Sequence, residues 1–336
     1  WELCLADGSD DAHAYVGEIC REYAAKDSRI VYKKLEKNGG IAENTNRCLE
    51  MATGEFVAPF DHDDLLHPCV LYEYVKVINE KDADYIYCDE ATFKNGDVNQ
   101  MITMHFKPDY AIDNLRANNY ICHFSMFDKK LLEGTELYRT KFDGSQDHDM
   151  ILRLTDKARN VVHVPKLLYY WRQHAGSVSS GVEAKPYVVE SARGAVADHL
   201  RRHGFANFKI TSTRAFETIF KITYEIIGEP KISIIIPNKD HVEDLRRCIT
   251  SIIEKSTYDN YEIIVVENNS ETREIFAYYE ELANNPAVKI ITYKGDFNYS
   301  AINNLGVSEA SGEYVLLLNN DIQIITVNWM EELLMY

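Results

Sequence analysis

The sequence predicts an α/β fold on an open, Rossmann-like, mostly parallel sheet, followed by a partial second copy of the same architecture. Three observations predict it. Apolar runs of strand length alternate with stretches of helical spacing between Trp1 and Phe93. Carboxylates gather at the ends of the apolar runs, where open α/β sheets bind their ligands. Segments from the start of the chain return near its end.

Taken in order, residues 1–6 read as a short strand ending at "ADGSDD". Residues 12–26 have helical spacing, with Ala14, Ile19, Tyr23 and Ala24 on one face. Residues 29–35 read as a strand, and 38–54 as a glycine turn followed by a helix that ends at Gly54. Residues 55–60 form a strand running into Asp61, Asp63 and Asp64, with Pro59 a mild objection. A helix over 65–83 and a strand over 84–93 complete the alternation.

The length of 336 residues suggests about two domains. A net charge of −17 makes general nucleic-acid binding a poor expectation, because phosphate is repelled, but leaves room for a nucleotide bound through a divalent cation. Seven cysteines without a C-x-x-C pair read as reduced thiols in a cytosolic protein. No apolar stretch is long enough to span a membrane, no signal peptide is visible, and the chain is expected to begin inside a domain.

The repeat is explicit. "WELCLADGSDD" at 1–11 is echoed by "YEIIVVENNSE" at 261–271, and "ATGEFVAPFDHD" at 52–63 by "ASGEYVLLLNND" at 310–321. Gly54 corresponds to Gly312, Asn46 to Asn304 and Asp63 to Asp321. The expected division is a module over 1–223 without its first strand and helix, a linker over 224–230, and the front half of a second module over 231–336.

"LADGSDD", "NGGIAENTN", "TGEFVAPFDHDDLLHP", "GSQDHDMILRL" and "YYWRQHAGSVSS", in this order, resemble the family 2 glycosyltransferases of the GT-A fold. The closer resemblance is to tandem members that build bacterial surface polysaccharides. The likeness covers nearly all of 1–203 and resumes over 231–336, opening on "SIIIPNKD". It implies an inverting, metal-dependent transfer of a sugar from a UDP- or dTDP-sugar to a glycan or lipid-linked glycan acceptor. The implied location is the cytoplasm, or the inner face of the cell membrane.

The resemblance also assigns residues. Asp63 matches a ligand of Mg²⁺ or Mn²⁺, and Asp61 the residue near ribose and metal; oxygen ligands suit both ions. Asp64 is supportive. Asp7 matches a contact to the uracil or thymine ring, with a helix cap as the alternative. Asn46 matches a donor-site hydrogen-bonding residue. The general base maps to Asp147, with Asp149 the alternative one step on, although Gln146 departs from the family's Glu. Both carboxylates also suit a helix N-terminus. His174 matches a third metal ligand in some relatives, or is a hydrogen-bonded loop residue. Arg172 suits a diphosphate or a structural ion pair.

The second copy keeps Glu267 and Asp321 but has Asn319 where the first has Asp61. The stretch ending "HLRRHG" offers a basic helix end to an anionic membrane, or simply satisfies that helix's own dipole. Residues 231–255 are expected either to fill the place of the first module's missing strand, within the chain or in a segment-swapped oligomer, or to pair inside the second copy. The competing functional readings are an inactive nucleotide-sugar-binding scaffold and a nucleotidyltransferase. The latter needs a glycine-rich phosphate loop that "SIIIPNKD" is not.

Overall fold

Alternating apolar runs and helical stretches become two units, Trp1–Ile222 and Thr223–Tyr336, in a computed structural model that describes residues 1–173 and 187–336. The first unit opens with β1 (Leu3–Asp7), α1 (Tyr15–Lys26), β2 (Ile30–Lys34), α2 (Ile41–Met51) and the short strands β3 (Phe56–Val57) and β4 (Leu65–Leu66). It continues through α3 (Val70–Lys81), β5 (Tyr85–Lys94), β6 (Asp97–His105), α4 (Ile112–Ala117), β7 (Met126–Asp128), α5 (Gln146–Thr155), β8 (Val161–Arg172) and α6 (Tyr187–Arg202). A hairpin of β9 (Phe208–Ser212) and β10 (Phe220–Tyr224) follows.

β5 carries the core of this unit. It is buried from Tyr85 to Phe93, because it has neighbours on both sides and layers on both faces. It pairs in parallel with β8 and antiparallel with β6 and β7. The sheet order is β3-β7-β5-β8-β4, while β1 and β2 form a separate parallel pair. β1 and β3 thus belong to different sheets, and each runs into a candidate acidic site.

Two elements differ from expectation for reasons visible in the sequence. The strand expected over 55–60 is reduced to Phe56–Val57, ahead of Pro59, which has no N–H to give a ladder. The helix expected from Leu65 starts at Val70. Leu65 and Leu66 instead pair with Tyr170 and Tyr169, and Pro68 holds the residue before it out of helical conformation.

The second unit contains β11 (Ile232–Asn238), α7 (Val242–Lys255), β12 (Tyr261–Glu267), α8 (Arg273–Leu282), β13 (Val288–Thr292), α9 (Tyr299–Ser308), β14 (Tyr314–Leu317) and α10 (Trp329–Leu334). All its strand pairs are parallel, in the order β13-β12-β11-β14. β11 is thus central, and accordingly it is buried from Ile232 to Ile236. Of the expectations for residues 231–255, pairing inside the second copy is the one observed. The cysteines are all free thiols.

Candidate active site

Asp7 ends β1 and is buried. Its carboxylate accepts from the Ser9 backbone N–H at 2.8 Å, the Tyr32 hydroxyl at 2.8 Å and the Lys34 ammonium at 3.2 Å. Burial opposes its charge, but these donors outweigh it and hold the carboxyl far below the usual range. The α1 cap makes no side-chain hydrogen bond, so Asp7 does not serve as that helix's cap.

The acidic loop after β3 divides its labour. Asp64 points inward: it accepts from the Tyr169 hydroxyl and, at 2.7 Å, from the Arg172 backbone N–H. The Arg172 guanidinium donates through Nε to the Asp63 carbonyl and lies 4.8 Å from the Phe93 ring centroid. It braces the loop. Asp61 points outward, its side chain 55% exposed. Removal from water pushes its pKa up; His123 opposes this, and the charges of Asp64, Asp147 and Asp63 add to it.

His123 is the residue that sequence reasoning missed. Its Nε2 lies 3.6 Å from Asp61 and its Nδ1 3.4 Å from the buried Glu90. The ring stacks on Tyr169 at 5.1 Å and tilts against Trp171 at 4.9 Å. Burial works against its charge, but Cys122 and Glu90 outweigh that and push the imidazole well above its ordinary value. Beneath it, the Lys107 ammonium donates to Glu90 at 2.9 Å and to the carbonyls of Ile121 and His123 at 2.6 and 2.5 Å. The ammonium's three protons are thereby used. Cys122, between those carbonyls, has φ of +40°, a left-handed conformation rare outside glycine. Only the spatial neighbours of "NYICHF" reveal this assembly; no local pattern in the sequence marks His123.

Among the described residues, ligand atoms of Asp61, Asp64 and His123 lie within 4.8 Å of one another, a set that could hold a cation. Asp63 is not in that set. A second grouping, Asp156, His199 and His203, has guanidinium partners already: Arg116 Nε is 3.2 Å from His199 Nε2, and Arg202 3.3 Å from Asp156. It is an ion-pair network.

Asp147 and Asp149 occupy the first turn of α5 and face different ways. Asp149 is buried and ion-paired to Arg139 and Arg153. Asp147 accepts from the Asn119 amide at 2.8 Å, and its charge reaches Asp61. Asn46 holds two segments together, since its side-chain amide accepts from the Tyr138 N–H and donates to the Tyr138 carbonyl, both at 2.8 Å. His174 lies outside the described residues. In the second unit, Glu267 is buried and accepts from Ser270 and the Tyr279 hydroxyl, while Asp321 is exposed.

Comparison with known proteins gives the family. The sequence model described as "Glycosyl transferase family 2" matches residues 1–135 and 233–336, more than half of the chain. An uncharacterized protein, y4gI of Sinorhizobium fredii, is 37% identical over 99% of this chain and 37% of its own length. The O-antigen biosynthesis protein RfbC of Myxococcus xanthus is 31% identical over 99% of this chain and 26% of its own length. The chain thus spans about a third and a quarter of those two relatives. A crystal structure of S. aureus TarS 1–349 is 19% identical with a TM-score of 0.43, covering 61% of this chain and 63% of that one. The chain belongs to glycosyl transferase family 2 and has the α/β architecture of its GT-A fold.

Proposed function

We propose that the first unit is an inverting glycosyltransferase centre. It takes a UDP- or dTDP-sugar and passes the sugar to a glycan or lipid-linked glycan acceptor in bacterial polysaccharide synthesis. The observation that carries this reading is Asp147: a carboxylate on α5, oriented by Asn119, facing the acidic group around Asp61 rather than the core. In the transfer, the acceptor oxygen bonds the anomeric carbon, the bond from that carbon to the diphosphate breaks, and Asp147 takes the hydroxyl proton. Asp149, locked between two arginines, is unsuited to that proton.

Asp7 would accept the ring N–H of the base. Asp61 and His123 would hold a divalent ion, with Asp64 behind them fixed by Tyr169 and Arg172; a carboxylate with an imidazole suits Mn²⁺ better than Mg²⁺, which prefers oxygen throughout. Glu90 orients His123 from its far nitrogen, as carboxylates do for metal-binding histidines. Such an ion, when bound, neutralises charge gathering on the departing diphosphate. The similarity to an O-antigen biosynthesis protein supports a polysaccharide product.

The test is a nucleotide-sugar panel with and without Mn²⁺, read by calorimetry and by transfer. Asp147→Asn is expected to lower turnover roughly 1,000-fold with donor affinity kept. Turnover equal to that of the parent would remove Asp147 from this role.

A further inference from the structure

Asp147 is oriented by Asn119, a loop residue that needs support of its own. The Asn119 amide donates to Asp147 at 2.8 Å, and its side-chain oxygen accepts from the Cys122 N–H at 3.3 Å. Asn119 follows α4, which has only 6 residues, less than two turns. A helix that short has no stability by itself. The Tyr120 hydroxyl accepts from the Ala111 N–H at 2.9 Å, so the start of α4 and the loop after it move together. What fixes α4 therefore fixes Asn119, and through it the carboxylate.

Two buried histidines supply that support. On α5, next to Asp147, His148 donates through Nε2 to the Leu115 carbonyl at 2.7 Å. On α6, the fully buried His199 has its Nε2 3.2 Å from Nε of Arg116, the residue after Leu115 on α4. A guanidinium nitrogen can only donate, so Nε2 of His199 accepts and carries no proton. The ring's proton is on Nδ1, which faces Asp156 at 3.3 Å. The remainder of the Arg116 guanidinium bonds Asp113 at 2.9 Å and lies 5.3 Å from the Phe205 ring centroid.

Among the described residues, the charged or titratable groups around His199 come from three helices. Arg116 and Asp113 belong to α4, His148 and Asp156 to α5 and its cap, and Arg202 and His203 to α6. Burial, helped by the charges of His203 and Arg116, outweighs Asp156 and holds the imidazole below its ordinary value. The neutral form therefore prevails at pH 7. A proton on Nε2 would set N–H against N–H and cation against cation where no water screens them.

We propose that His199 is a positioning residue for Asp147. In its neutral form it holds Arg116; Arg116 and His148 hold α4; and α4 sets Asn119 against the carboxylate. On protonation the attraction becomes repulsion, and α4 loosens while α5, buried from His148 to Thr155, stays in place. The support of a catalytic base rests on the glycosyltransferase reading; the clamp on α4 does not.

The test compares the parent with His199→Gln and His199→Leu. Glutamine offers an acceptor oxygen near the place of Nε2 and does not protonate; leucine fills the space and accepts nothing. Hydrogen exchange is followed at Asn118, whose N–H bonds the Asn114 carbonyl, and at Cys122, whose N–H reports Asn119 directly. After correction for intrinsic rates, both amides are expected to exchange roughly 10-fold faster in His199→Leu at about pH 7 and in the parent at about pH 5, while His199→Gln stays slow at both. With the UDP- and dTDP-sugars of the panel, His199→Leu is expected to lower kcat roughly 100-fold with the donor KM kept. His199→Gln is expected to keep kcat and to hold it to lower pH than the parent does. Unchanged exchange in His199→Leu overturns the clamp. Faster exchange with unchanged kcat, or an acid limb that does not move in His199→Gln, overturns the positioning of the base. Should leucine unfold the chain, the pH comparison of the parent with His199→Gln decides. Faster exchange in a chain whose parent turns over none of these donors leaves the clamp standing and refutes the glycosyltransferase reading.

Discussion

Asp147 and Asp149 stand two positions apart on one helix and have opposite fates. A helix turn separates their directions by about 200°. Asp149 meets Arg139 and Arg153 in the interior; Asp149→Asn leaves Arg139 with Asp198 and Arg153 with backbone carbonyls but no carboxylate, and is expected to cost about 3 kcal/mol, read as a lower urea midpoint. The sequence shows both carboxylates but not which one turns outward. That depends on arginines met only after folding. Asp7, Asp61 and Asp64 were legible because carboxylates at strand ends are a local pattern. Glu90, Lys107 and His123 were not, because strand pairing and a left-handed turn bring them together from separate segments. Asn46 and Arg172 were legible as polar residues near the site. Their engagement with backbone groups at Tyr138 and Asp63 was not.

At the scale of elements, period and punctuation carried most of the fold. The strands at β1, β2, β5 and β11 and the helices α1 and α2 follow from apolar spacing alone. The boundaries that moved, at β3 and α3, moved at Pro59 and Pro68, where a missing N–H and a crowded neighbour outweigh apolar patterning. Glu262, on β12, makes a prediction for pH. Burial opposes its charge, but Ser233, Ser311 and Lys231 hold its pKa down to about 2, against an ordinary 4.5. A lowered carboxyl pKa stabilises above the unfolded value and loses that contribution as pH falls through the folded one. Glu262→Gln is therefore expected to cost on the order of 2 kcal/mol at pH 7, after discounting for screening, and almost nothing near pH 2. Denaturation at several pH values checks this.

At the scale of the whole molecule, each unit has its own core. One is built around β5 and Tyr74, the other around β11 and α7. In the second, α9 sits so close to the sheet that a Cβ on Gly306 would stand 2.3 Å from Ile235 Cγ2. Gly306→Ala is expected to cost about 2 kcal/mol by overpacking, and to speed exchange in β11 and β12 while β5 and β8 hold. The duplicated motifs, returning at nearly constant spacing, were legible in the sequence. Where residues 231–255 pair was not, since β11 finds its partners β12 and β14 only in the folded sheet. No helix among the described residues is long and apolar enough to cross a membrane.

Lys107 draws these scales together. Anchored on Glu90 and on the carbonyls of Ile121 and His123, it pins both sides of the left-handed turn at Cys122 and so fixes where His123 stands. An uncharged side chain at 107 would release that turn and let the imidazole drift from Asp61.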